Sequence, residues 1–439
     1  MRRTVPLALL LALAFAPRTS FAQNAGLSGF LLRFFAPSNP VILADTGHAA
    51  HFGSQPGAQA TLTQLNRGIA TQLATSPVGS SSGGFSYVFD PALGVFSRST
   101  DSFGPLFAER ANTAGKGKFS MGFNAARYTF DSFEGENLRD GDITLFLTHS
   151  DLNRDGDHLE VFFEGDLIRA NMFLDVTAET ASFFANYGVT DRLDVGLALP
   201  YLRIDMKARI HERIQRLSTA DEPFVFHIFQ NGTDDNEIVA SDNAEGLGDL
   251  VLRAKYRLFG KSTEGGGLAT ALDLRLPTAD ETELLGSGAT QLKLYLIASG
   301  SGKRFSPHLN LGYTFSRGGS VVTGALPDEF NYVAGFDVAV FNRLTFTADV
   351  IGRTLLDFDR IVKVEEEWEY THGQGGPLEI TTITDYEARN DDLNLLVGSV
   401  GVKLNPFGKL LLSGNVLLSQ GKRGLQDYVT PVVSIDYTF

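Results

Sequence analysis

The sequence predicts an all-β chain that closes into a transmembrane antiparallel β-barrel of about fourteen strands, with twelve and sixteen as the neighbouring counts. Three observations carry this expectation: an export signal at the start, long segments whose apolar residues recur at every second position, and connections that alternate between short and long.

The export signal comes first in the chain. Arg2 and Arg3 precede an apolar run from Val5 to Ala16, and Ser20-Phe21-Ala22 places small residues three and one before a cut ahead of Gln23. This is the layout of a cleaved signal peptide over residues 1–22, and its apolar run is too short to cross a bilayer. Its removal takes three arginines and no acid from a chain that already has 51 acidic against 37 basic side chains. An acidic chain excludes nucleic acid as a partner, because phosphates demand a basic face. With no cysteine among 439 residues, disulfides, thiolate metal centres and thiol nucleophiles are excluded as well.

Residues 23–117 read differently from the rest. Leu62, Leu65, Ile69 and Leu73 share one face at helical spacing, which predicts a short helix over 60–75. Segments 85–89 and 95–98 flank Asp90-Pro91-Ala92-Leu93-Gly94 and suit a hairpin. A barrel of fourteen strands has more interior than its own side chains fill. This region is therefore either a plug in the lumen or a periplasmic segment.

From Lys118 onward the period is two. Leu250, Leu252, Ala254, Tyr256 and Leu258 alternate with Asp249, Val251, Arg253, Lys255 and Arg257, and four further segments up to Val350 repeat the pattern. These segments run about 10 to 14 residues, near the roughly 9 to 11 tilted residues that cross a bilayer and beyond the roughly 5 or 6 of a sandwich strand. Short turns at Thr190-Asp191, Phe341-Asn342 and Asn405–Gly408 interleave with long loops at 206–245, 278–288, 317–328 and 356–391. A spanning sheet must close, because in hydrocarbon every backbone N–H and C=O needs a protein partner. The chain ends with Val433, Ile435, Tyr437 and Phe439 on one strand face. Tyr437 and Phe439 resemble the C-terminal signal that outer-membrane barrels present to the barrel assembly machinery.

Several stretches resemble one exported barrel family, named for transporters of the meta-pathway of phenol degradation. They are Phe107-Ala108-Glu109-Arg110, Gly115–Lys118, Phe130–Gly135, Tyr187–Leu193 with Leu199-Pro200-Tyr201, Gly246–Leu250, Leu274–Thr278 and Leu285–Gln291. The likeness spans residues 105–439 and extends distantly to the long-chain fatty-acid transporters of the outer membrane, which carry an N-terminal plug. It implies a channel in the cell outer membrane for passive passage of small hydrophobic or aromatic molecules. Its partners would be small-molecule solutes, outer-membrane lipid and lipopolysaccharide, and the assembly machinery. Two rival readings are a non-conducting surface barrel used for adhesion and a general water-filled porin.

Candidate site residues follow from which strand face is polar. Arg253, Lys255 and Arg257, Asp273 and Arg275, Lys293, and Asp349 and Arg353 point inward and form the candidate lumen lining, with Arg253 or Arg257 in reach of Asp273 or Arg275. Any barrel interior also carries such residues. Asp151, Asn153 and Asp155, with Gly156, begin like a calcium loop, but position twelve is Phe162 where a bidentate Glu belongs. An acidic turn between strands 143–148 and 159–163 explains the same residues. The acidic run Glu365-Glu366-Glu367-Trp368-Glu369 reads as a solvated loop. No cofactor is implied beyond this weak surface calcium site. Eight histidines, with His48 and His51 three apart, form no nucleophile or metal pattern, so no enzyme is expected.

Overall fold

Each alternating segment becomes one wall of a closed barrel. A computed structural model describes residues 26–36, 41, 43–44, 52, 56–74, 87–90, 95–98, 102–151, 159, 161–260, 266–300, 302, 304–320 and 324–439. The signal peptide, His48, His51, Asn153 and Asp155 lie outside the described residues. The walls are β1 (Phe119–Thr129), β2 (Leu167–Gly188), β3 (Leu193–Gln215), β4 (Leu250–Phe259), β5 (Gly267–Leu276) and β6 (Ala289–Ser299). They continue as β7 (Phe305–Ser320), β8 (Glu329–Phe341), β9 (Leu344–Thr371), β10 (Leu378–Leu404), β11 (Leu410–Gln420) and β12 (Val429–Thr438). Each pairs antiparallel with its chain neighbour, and β12 returns to β1 through Val432↔Ala126 to Thr438↔Ser120. The walls number twelve, the lower end of the predicted span. Asp166–Val189, open to reading as two strands, is one strand of 22 residues.

Two of the predicted long loops are mostly strand. Segment 206–245 holds the end of β3 and a strand Asp235–Leu247 that pairs with it from Tyr201↔Leu247 to Arg213↔Asp235. Segment 356–391 is the upper part of the β9–β10 hairpin, whose strands run 28 and 27 residues. At about 3.3 Å per residue such strands far exceed a hydrocarbon core of about 30 Å, so their upper halves stand clear of the lipid. The acidic run Glu365–Glu369 therefore sits on an exposed strand, where charge keeps an extended edge soluble. A bulge between Leu355 and Phe358 marks the point where this hairpin leaves the barrel wall, with Asp357 at φ 50° and its N–H donating to Asp392 at 3.1 Å. The hairpin then leans back over the mouth: Trp368 Nε1 donates to the Gly165 carbonyl at 3.0 Å, and Arg360 pairs with Glu134.

Burial is inverted relative to a water-soluble protein, as a lipid-facing wall requires. Leu272, Leu294 and Leu311 are 37%, 44% and 42% exposed, while Lys255, Thr345 and Asp337 on the opposite face are 1% exposed or less. Aromatic side chains gather at the short-turn rim, where Phe439 lies 5.6 Å from Phe119 and 4.9 Å from Tyr437, ring to ring. Phe439 also donates its N–H to the Phe119 carbonyl at 2.7 Å, so the last residue fastens the closing seam. No helix among the described residues is long and apolar enough to cross a membrane.

The long-loop end is filled by the N-terminal residues. Helix α1 (Pro56–Ala74) contains residues 60–74 of the predicted 60–75 and begins four residues earlier at a proline, whose absent N–H is no loss in a first turn. Its Leu62, Leu65 and Ile69 are fully buried in one apolar cluster with Phe30, Leu31 and the inward side chains Ile168, Met172, Ile204 and Ile210 of β2 and β3. Polar contacts fix its register: Asn66 donates to the Ser28 carbonyl at 2.7 Å, Arg67 pairs with Asp359 at 2.9 Å, and Gln72 accepts from Leu425 N–H at 2.9 Å. The predicted hairpin is present as Tyr87–Asp90 paired with Val95–Arg98.

Candidate functional site: the lumen

Below the helix, residues 102–114 cross the short-turn half of the lumen, tied to inward side chains of seven different walls. Phe103 N–H donates to Thr345 at 3.0 Å, Lys403 donates to the Pro105 carbonyl at 2.8 Å, and Ala111 N–H donates to Ser299 at 3.1 Å. Asn310 serves both backbone groups of Glu109, accepting its N–H at 2.7 Å and donating to its carbonyl at 2.9 Å. One side-chain amide thus does for Glu109 what a neighbouring strand would do, pairing both its N–H and its carbonyl.

Two adjacent residues of that segment carry its charge. Arg110 donates to Asp337 at 2.5 Å, with both side chains buried. Glu109 takes Arg253 on one oxygen at 2.6 Å and Lys255 on the other at 3.1 Å. Arg253 in turn places Nε and Nη2 on the two oxygens of Asp273, each at 2.5 Å. Such a fork suits a planar guanidinium and holds the acid in one orientation. Tyr295 hydroxyl adds a third contact to Asp273 at 3.3 Å.

The eight lumen candidates separate into groups. Arg253, Asp273, Arg275, Lys293 and Arg353 line one chamber, together with Glu109, Glu329 and Phe107. Arg353 is held by Glu329 at 2.7 and 3.2 Å. Lys255 lies just beneath, on Glu109. Arg257 is apart, at the short-turn rim, donating to the Asp191 carbonyl at 2.6 Å, and so is not in reach of Asp273. Asp349 is also apart, 2.5 Å from His308 Nε2, with Asp337 at 3.7 Å from the other ring nitrogen. Sequence reasoning found the inward cations but not Glu109, their shared partner. The adjacent opposite charges Glu109-Arg110, just before the first wall, were the available signal.

The chamber encloses about 960 Å³ of empty space, part of it continuous with solvent. A second space of about 840 Å³, also partly continuous with solvent, lies beside it, lined mainly by apolar groups that include Tyr128, Phe130, Leu395, Val397 and Leu417. Phe107, Ile351 and Arg353 line both, so the charged and apolar spaces meet at these three side chains.

The candidate calcium loop is described only at Asp151, and the expected strand 159–163 is instead a short 3-10 turn, Phe162–Gly165. Among the described residues no three His, Asp or Glu side chains are placed to hold a metal ion.

Residues 167–352 match the family described as "Putative MetA-pathway of phenol degradation", the family whose motifs the sequence resembles. No curated protein matches the chain. Among solved structures, an outer membrane channel from Pseudomonas putida F1 is 13% identical, with 75% of this chain and 98% of that chain covered and a TM-score of 0.42. A Pseudomonas aeruginosa FadL homologue is 10% identical, covering 74% and 90%, with a TM-score of 0.31. The Ralstonia pickettii toluene transporter TbuX is 13% identical over 74% and 90%, with a TM-score of 0.27.

Proposed function

We propose that the chain is an outer-membrane channel through which small hydrophobic or aromatic molecules pass passively, with residues 23–117 as its plug and 118–439 as its barrel. The observation that carries this reading is the apolar cavity meeting the charged chamber at Phe107 inside a closed wall. An apolar solute gains roughly 25 cal/mol per Å² on leaving water, so the cavity beside Tyr128 and Leu417 draws it in without an energy source. The match of residues 167–352 to a family named for phenol degradation supports aromatic cargo. Neither a catalytic step nor a cofactor is part of this reading. The occupied lumen disfavours a general water-filled porin, since residues 102–114 span it between seven walls. Liposome swelling tests the proposal. Phenolic solutes should enter faster with the protein than without it while sugars do not, and permeability to neither would overturn it.

A further inference from the structure

Across β4, β5 and β6 the inward row reads Arg253, Asp273, Lys293, each directly opposite the next in register. The single acid in the middle cannot serve both neighbours. Arg253 occupies both of its oxygens with a fork, and Tyr295 adds its hydroxyl to one of them. Lys293 consequently makes no ion pair with any described residue; its ammonium lies 5.3 Å from the centre of the Tyr295 ring. Gly312 on β7, the register partner of Tyr295, leaves room for this side chain: a methyl there would stand 3.3 Å from Lys293 Cε. Charges lining the chamber are likewise unequal, four cations (Arg253, Arg275, Lys293, Arg353) against three carboxylates (Glu109, Asp273, Glu329).

A cation inside a barrel is costly unless something neutralises it. Lys293 itself brings one charge with no ion-pair partner among the described residues, and a monoanion matches it. A carboxylate matches it, because an ionised acceptor gives an ammonium its shortest and strongest hydrogen bonds. The Tyr295 ring stands beside the ammonium, and Phe107 and Ile351 add apolar lining to the same chamber, surfaces that suit a flat apolar ring. A neutral phenol, with a pKa about 10 as for tyrosine, would fill the wall and leave the charge unmatched.

We propose that this chamber is a binding site for small aromatic carboxylates, with Lys293 receiving the carboxylate and Phe107, Tyr295 and Ile351 the ring. The inference rests on the conduit reading above and adds the class of cargo that pauses there. Titration calorimetry of the mature chain in detergent tests it, with benzoate as probe, benzyl alcohol as a ring without charge and acetate as a charge without a ring. Benzoate should bind, with benzyl alcohol at least about tenfold weaker for the lost charged hydrogen bond and acetate at least about tenfold weaker for the lost burial of the ring. Lys293→Met should weaken benzoate at least about tenfold, and Lys293→Arg should restore it to within about threefold. Retention of a compact, heat-modifiable band on gels certifies that each variant is folded. Wild-type affinity in folded Lys293→Met, or benzyl alcohol binding as well as benzoate, would overturn the site. Swelling of wild-type liposomes in phenol is read separately: swelling without a Lys293 effect sinks this inference alone, whereas benzoate binding without swelling sinks the conduit and leaves the site.

Discussion

Replacing Glu109 by alanine should unseat the segment that crosses the lumen. In the seated state Lys255 is 1% exposed and has Glu109 at 3.1 Å, with Asp194 farther away at 3.9 Å. Arg253 would keep its fork on Asp273, so the variant strips one buried cation of its near partner rather than two. Removing one member of a buried pair costs about 3–5 kcal/mol, and the residual Asp194 places this case near the lower end, about 3 kcal/mol. Unseating lets water reach Lys255, so that cost falls on the seated state alone. At about 1.4 kcal/mol per tenfold, the seated-to-unseated ratio should fall about a hundredfold. Single-channel recording in planar bilayers reads this directly: long closed intervals in the wild type should give way to frequent openings in Glu109→Ala. Limited proteolysis should at the same time begin to cut within residues 102–114. A variant that stays closed like the wild type and resists protease would refute the claim that Glu109 holds the segment in place.

Three other consequences are open to measurement. Phe107→Ala removes a side chain shared by the two cavities and should raise the swelling rate with phenolic solutes, so a rate at or below the wild type would count against a passage between them. His372, in the turn after β9, hydrogen-bonds Asp221 at 2.8 Å, and this bond holds its pKa above the usual histidine value. The tie is thus complete below the ordinary pKa and lost as pH rises through the raised one, so amide exchange at 372–376, corrected for intrinsic rate, should quicken as pH rises above the ordinary histidine value; protection that ignores pH would contradict it. Deleting Phe439 removes the bond to the Phe119 carbonyl and, in our proposal, part of the assembly signal with Tyr437. Barrel in the outer membrane should fall and unfolded chain accumulate, and unchanged amounts would dismiss that role.

The N-terminal helix was legible from Leu62, Leu65, Ile69 and Leu73, because a helix buries residues according to its own local period. So was the division of every wall into greasy and polar faces. Strand count was less so: in Leu167–Gly188 the apolar face passes from Ile168, Met172 and Val176 to Ala181, Phe183 and Tyr187, a change of phase that one long strand and two strands joined by a tight turn would both show. Segments 206–245 and 356–391 read as loops in the sequence and are largely strand in space, because outward positions such as Lys207, Arg209, Glu365 and Glu367 carry charge in place of the apolar residues of a lipid-facing wall.

By itself, then, the chain's order determined which side chains face inward, because a strand's two faces follow from a period of two in the local backbone. Which inward charges meet was decided only by closure. Arg253 and Arg257 sit four residues apart on one strand, yet register hands Asp273 to the first and the rim carbonyl of Asp191 to the second. Glu109, some 144 residues from Arg253, reaches it only because residues 102–114 lie inside the finished cylinder. Pairings across such separations depend on the circumference and stagger of all twelve walls at once, and no window of sequence contains them.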